Sequence, residues 1–89
     1  MLSTNTYIGE MLRMLEPLRN MEGFAYALRA ALNFNIPCEE FSCEINEEET
    51  VIKAKNKTAN VELVINADHT TNTIRHFVVY GNENKRALR

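Results

Sequence analysis

Two cysteines and two histidines are the residues of this sequence best suited to bind a metal or attack a substrate. They lie as Cys38-x4-Cys43 and His69-x6-His76. Small zinc sites usually space their histidines by three to five residues. Alternation of apolar and polar residues puts Cys43 on an early strand and His76 on the last one. With strands about 4.8 Å apart, three spacings separate the two by roughly 14 Å. No metal site is expected. A nucleophilic cysteine would need a histidine in reach and a group to orient it. Asp68 and His69 are adjacent in sequence, and the side chains of chain neighbours diverge. Glycine-rich phosphate loops, dinucleotide fingerprints and HExxH are all missing from the sequence. The chain is expected to be non-catalytic and to carry no cofactor.

The acidic stretch is more distinctive. Glu39, Glu40, Glu44, Glu47, Glu48 and Glu49 fall between Cys38 and Thr50, with no cation among them. Residues 50–89 carry seven Lys/Arg against three acids, so the net charge of −2 conceals a segregated chain. The acids can be a solvated hairpin tip answered by lysines on the next strand. They can also form a ridge that docks on a basic protein. Alternate strand residues set carboxylates roughly 7 Å apart, close to the phosphate spacing of a DNA strand. A DNA mimic is therefore one reading, although −2 is a small total for one. The basic residues Lys53, Lys55, Lys57, Arg75, Lys85, Arg86 and Arg89, with Phe77 and Tyr80 nearby, allow a nucleic-acid-binding reading by stacking and charge. Glutamates expected on the same face weaken it.

The elements that must position these groups are two helices and four strands. Tyr7, Ile8, Met11, Leu12, Leu15 and Leu18 form one helical stripe. Ser3, Thr4, Asn5 and Thr6 offer capping oxygens. Glu10 with Arg13 and Glu16 with Arg19 are i,i+3 pairs on the wet side. Pro17 ends or kinks this helix near Glu16. A second helix is expected from about Asn20 to Leu32, with Met21, Phe24, Ala25, Leu28, Ala31 and Leu32 inward and Asn20 as cap. Pro37 bars its extension. Gly9 and Gly23 fall inside these helices, each at about 1 kcal/mol relative to Ala.

The second half predicts strands at 41–45, 50–55, 60–65 and 73–80, joined by turns at 46–49, 55–58 and 66–72. Closing the first hairpin over 46–49 sets Cys43 against Ile52, Phe41 against Ala54 and Ile45 against Thr50. The second is expected to set Ile52 against Val61 and Thr50 against Leu63. These residues share one face, as a half-buried sheet requires. Glu40, Ser42, Glu44, Lys53, Lys55 and Glu62 take the other, with Glu40 across from Lys55 and Glu44 diagonal to Lys53. In the last strand Ile74, His76, Val78 and Tyr80 face one way and Arg75, Phe77 and Val79 the other. Both sides are partly apolar. Val51, Val64, Phe77 and Val79 then form an apolar patch on the outer face, the kind a partner covers.

At 89 residues the chain has room for one core of two layers. The expected fold is α+β: two antiparallel helices on a four-stranded antiparallel meander, in a single domain over 1–81. A basic tail over 82–89 is expected to fray. No run is long and apolar enough for a membrane span, and the start is not basic like a signal or transit peptide, so a cytoplasmic location is expected. Eleven asparagines against one aspartate is a bias shared by many small phage proteins. The functional expectation is a protein-binding module, a phage-type regulator or inhibitor that occludes a host protein. Its expected contact residues are Glu44, Glu47, Glu48, Glu49, Val51, Val64, Phe77 and Val79. Self-association as a homodimer, through the apolar patch or the free edge of the last strand, is expected with it.

Overall fold

The computed structural model describes residues 4–81; Ser3 and the basic segment 82–89 lie outside them. Helix α1 spans Thr4–Leu15 and runs into a 3-10 turn, Glu16–Leu18, with Pro17 at its start. Helix α2 spans Phe24–Asn33. Four strands follow: β1 Glu40–Ile45, β2 Glu49–Asn56, β3 Val61–Asp68 and β4 Thr73–Tyr80. They form one antiparallel meander in the order β1-β2-β3-β4. This is the expected α+β fold.

The helices lie on one face of the sheet, α1 over β2 and α2 over β4, and also touch each other. The core fills the space between. Tyr7, Met11, Leu15 and Leu18 supply the α1 side, Ala27 and Ala31 the α2 side, and Ile52, Ala54, Leu63, Ile65, Ala67 and Ile74 the sheet. The small residues Ala27 and Ala31 let α2 sit close. The expected i,i+3 pairs form: Arg13 bonds Glu10 at 3.0 Å, and Arg19 bonds Glu16.

Helix α2 begins later than its apolar pattern suggests. Asn20 does not cap it. The cap is Gly23, with φ +92, and the preceding segment is tied to the sheet. Glu22 N–H donates to the Asn72 carbonyl (3.0 Å), and Ile74 N–H donates to the Glu22 carbonyl (2.7 Å). Starting at Phe24 turns Ala27 inward and leaves Ala25 and Leu32 exposed, so the expected stripe is rotated.

The β1–β2 register is the expected one, with Cys43 opposite Ile52 and Glu40 opposite Lys55. The β2–β3 register is not. Ile52 pairs with Ile65, Ala54 with Leu63 and Thr50 with Ala67, a slide of four residues. An even slide keeps every side chain on its face, so the hydrophobic pattern cannot detect it. Turn chemistry decides. Asn56 accepts the Ala59 N–H and donates to the Pro37 carbonyl, each at 2.7 Å. Asn60 takes φ +54. Together they close the turn over 57–60, not 55–58. Strand β3 then extends through Asp68 instead of ending at Ile65, and the turn to β4 shrinks to 69–72.

On the helix side the inner strands are covered from end to end, with Thr50 and Ala67 buried at one end and Asn56 and Val61 at the other. The edge strands are not: Ile45 on β1 is 70% exposed, and Val78 and Tyr80 on β4 are 45% and 49% exposed. Ile45 was expected inside and is not. Cys43, on the core face of edge strand β1, is half-buried, while Cys38 is fully enclosed. No helix among the described residues is long and apolar enough to cross a membrane.

Candidate functional site

The outer face of the sheet has no helix over it. Its side chains run in rows across the four strands. One row is Glu40, Lys55, Glu62 and Val79; the next is Ser42, Lys53, Val64 and Phe77. A third is Glu44, Val51, Asn66 and Arg75, and Glu49, Asp68 and Thr73 close the end. Val64 and Phe77 are direct neighbours, Val79 follows on the same strand, and Val51 lies diagonal to Val64. The four predicted apolar residues thus form one stripe from the middle of the sheet to its β4 edge. Val51 and Val64 are half-buried, while Phe77 is 50% exposed.

Charge on this face is unevenly divided. Glu40, Lys55, Glu62 and Lys57 mix signs at one end, where Lys57 lies 3.7 Å from Glu40. The slid register places Lys55 between two glutamates. At the other end Glu44, Glu47, Glu48, Glu49 and Asp68 gather around the β1–β2 and β3–β4 turns. Among the described residues no cation reaches ion-pair distance of these five. The segregated charges of the sequence therefore answer each other at one end of the hairpin and stay unanswered at the other.

Several hydrogen bonds hold the backbone of the acidic turn. Asn46 Oδ1 accepts the N–H groups of Glu48 (2.8 Å) and Glu49 (2.9 Å). His69 N–H donates to the Glu48 carbonyl (2.9 Å), and Asn66 Nδ2 donates to the Glu49 carboxylate (2.9 Å). Thr50 Oγ1 and His69 Nε2 share a hydrogen bond of 2.8 Å. The backbone is held from three sides, while the Glu47 and Glu48 carboxylates point into solvent. Sequence reading singled out the glutamates and passed over Asn46, Asn66 and His69, which fix them.

The four chemistry-bearing side chains do not converge. Cys43 and His76 sit in one row at opposite edges of the sheet, with Ile52 and Ile65 between them. His69 is engaged by Thr50. No group of three His, Cys, Asp or Glu among the described residues is placed to hold a metal ion. Cys38 is enclosed, its Sγ 3.5 Å from the Ile36 carbonyl, and burial pushes its thiol pKa up. The Tyr7 hydroxyl is buried beside the Cys38 thiol and the Ile36 carbonyl, without a well-formed hydrogen bond to either. Burial, and then the Cys38 thiol, push its pKa up to about 12. These are properties of core groups, which favour the neutral form.

On the helix side, a groove of about 380 Å³ opens between the end of α2 and β4. Phe34, Ile36, Val61, His76, Val78 and Tyr80 line most of it. Sequence reading missed it, because it forms between the segment leaving α2 and strand β4, which only the tertiary fold brings together.

Comparisons with protein-family models, with curated proteins and with solved structures return no match for this chain.

Proposed function

We propose that this chain is a non-catalytic protein-binding module that docks through the outer face of its sheet and its acidic turn. The supporting observation is the bare face itself. An apolar stripe of Val51, Val64, Phe77 and Val79 runs beside carboxylates that no described cation neutralises. Such a face suits a partner with an apolar ridge flanked by lysines or arginines. Binding desolvates the stripe, and charge guides the approach. Hydrogen bonds already order the backbone of the turn, so docking does not have to order it. The biological role we assign is that of a small phage-type regulator that acts in the host cytoplasm, where it occludes a functional surface of a host protein.

The test is affinity capture from host lysate with the full chain, alongside two folded variants. Phe77→Glu disrupts the stripe, and the triple change Glu47→Gln, Glu48→Gln, Glu49→Gln removes the turn's charge. The reading requires one captured protein that both variants lose. Capture that survives both would sink it. An oligonucleotide shift at low salt tests the nucleic-acid reading. Binding lost on neutralising Lys53 and Lys55 would replace the protein-docking assignment.

A further inference from the structure

Strand β4 is an edge strand that lacks the usual protections. Edges are normally blunted by charge, proline or a bulge. The other edge, β1, carries Glu40 and Glu44. From His76 to Tyr80, β4 reads His-Phe-Val-Val-Tyr, with no Lys, Arg, Asp or Glu and no proline. Its pairing with β3 runs without a bulge from Val61–Tyr80 to Asp68–Thr73. Both faces expose apolar side chains: Phe77 (50%) and Val79 outward, Val78 and Tyr80 (49%) on the helix side.

The backbone direction is fixed by a contact at the strand's start. Ile74 N–H points away from β3, because it donates to the Glu22 carbonyl. Backbone groups alternate along a strand. The N–H and C=O groups of His76, Val78 and Tyr80 therefore also point to the open edge. Glu22 and Gly23 block that edge at Thr73 and Ile74, and leave only the stretch from Arg75 onward for an incoming strand.

We propose that this edge pairs with the same edge of a second copy, antiparallel, with Val78 opposite Val78 of the other copy. The inference goes beyond the docking reading and does not depend on it. The register follows from the block at Ile74: centring on Val78 pairs His76 with Tyr80 of the other copy and keeps the incoming strand's described residues clear of Glu22. Six backbone hydrogen bonds close, two for each of the three hydrogen-bonded pairs. On the outer face Phe77 comes opposite Val79 of the other copy, in the closer, non-hydrogen-bonded kind of pair. The two apolar stripes join into one belt, Val64-Phe77-Val79 and its symmetry mate. The only fixed charge on the paired stretch is Arg75. The two copies of it stand about 20 Å apart along the strands, so they do not repel strongly.

The edge suits a weak, concentration-dependent pairing, not an obligate one. Phe77, Val78, Val79 and Tyr80 together expose on the order of 350 Å² per copy. Edge pairing covers the flanks of these side chains and the edge backbone while both sheet faces stay open, so the buried area falls short of the roughly 1,200 Å² of a standard interface. The product is a concentration-dependent dimer with a continuous eight-stranded sheet and all four helices on one side.

Sedimentation velocity of the full chain from about 10 µM to 1 mM tests this. We expect a reversible dimer. Val78→Pro removes an N–H that β3 does not use, and proline is tolerated at such edge positions. It should weaken dimerisation by about tenfold or more and leave the far-ultraviolet spectrum intact. In a Cys43→Ser background, Val78→Cys should cross-link to its own copy under mild oxidation, since paired Cα atoms lie about 5.5 Å apart. Arg75→Cys should not. A chain that stays monomeric at 1 mM overturns the proposal, and so does a dimer indifferent to a folded Val78→Pro. If Val78→Pro fails to fold, the cysteine pair decides: Arg75→Cys cross-linking as fast as Val78→Cys overturns it. Capture of a protein partner by monomeric Val78→Pro would leave the docking reading standing alone. A dimer that captures nothing would leave the pairing standing alone.

Discussion

Replacing each of two glycines by alanine should move stability in opposite directions. Gly23 sits at φ +92, and a Cβ built on it would lie 2.5 Å from the Ile74 carbonyl oxygen. That oxygen belongs to strand backbone and cannot swing aside. An L-residue in the left-handed region costs about 1–2 kcal/mol. Pushing the backbones apart also strains the 2.7 Å bond from Ile74 N–H to the Glu22 carbonyl, and losing it adds about 1 kcal/mol. Gly23→Ala should therefore cost about 3 kcal/mol, a large share of a small domain's stability. At 4–8 °C per kcal/mol the midpoint should fall by roughly 12–24 °C. Gly9 lies on the exposed side of α1, with nothing within 4 Å of a built Cβ. There the helix gains propensity and the unfolded chain loses freedom, so Gly9→Ala should stabilise by about 0.5–1 kcal/mol. Urea and thermal unfolding followed by circular dichroism read both. A Gly23→Ala cost below about 1 kcal/mol would refute the close approach of the Met21–Gly23 segment to β4. A destabilising Gly9→Ala would refute the reasoning on the open helix position.

Tyr7 carries an alkaline signature. Its pKa is pushed up to about 12 in the folded chain against an ordinary value of 10. The unfolded state therefore releases this proton first, and stability falls as pH rises from 10 to 12, by about 2–3 kcal/mol. Tyr7→Phe removes a buried hydroxyl that makes no well-formed hydrogen bond. It should match or exceed wild-type stability at pH 7 and flatten the alkaline loss; a drop of more than about 1 kcal/mol at pH 7 would show that the hydroxyl has a partner. Asn46→Ala should cost about 1–2 kcal/mol in chemical denaturation, because the Glu48 and Glu49 amides lose their acceptor. Thiol labelling should modify Cys43 before the enclosed Cys38, and both rates should keep rising above the ordinary thiol pKa, because burial holds both thiols neutral. Equal labelling rates would contradict the burial of Cys38.

Much of the architecture is written in local periodicity. The stripe of α1 and the limits of β4 could be read directly, because a spacing of three and four, or of two, reports which face is buried. The first hairpin's register was legible too, since its polar turn is short and its flanking strands alternate cleanly. The second hairpin was not. Sliding β3 by four residues preserves every inside and outside assignment, so only Asn56 and Asn60, through hydrogen bonds and a left-handed backbone, select the pairing. The start of α2 was hidden for a related reason. Gly23 looks like a tolerated helix glycine until the Ile74 carbonyl is placed against it.

The proposed docking residues divide in the same way. Sequence alone put Val51, Val64, Phe77 and Val79 on one face, and Glu44 with Glu47–Glu49 around one turn, because these are consequences of alternation and proximity along the chain. It could not say which acids find cations, since ion pairing depends on strand register and on which end of the hairpin each lysine reaches. Nor could it show that β4 keeps an open edge over His76–Tyr80. That depends on Glu22 and Gly23 closing the edge only at its start. Which side chains face together was local information; which of them stay uncovered was decided by the face and the strands that the two helices lie over, because only contact with another layer removes a side chain from water.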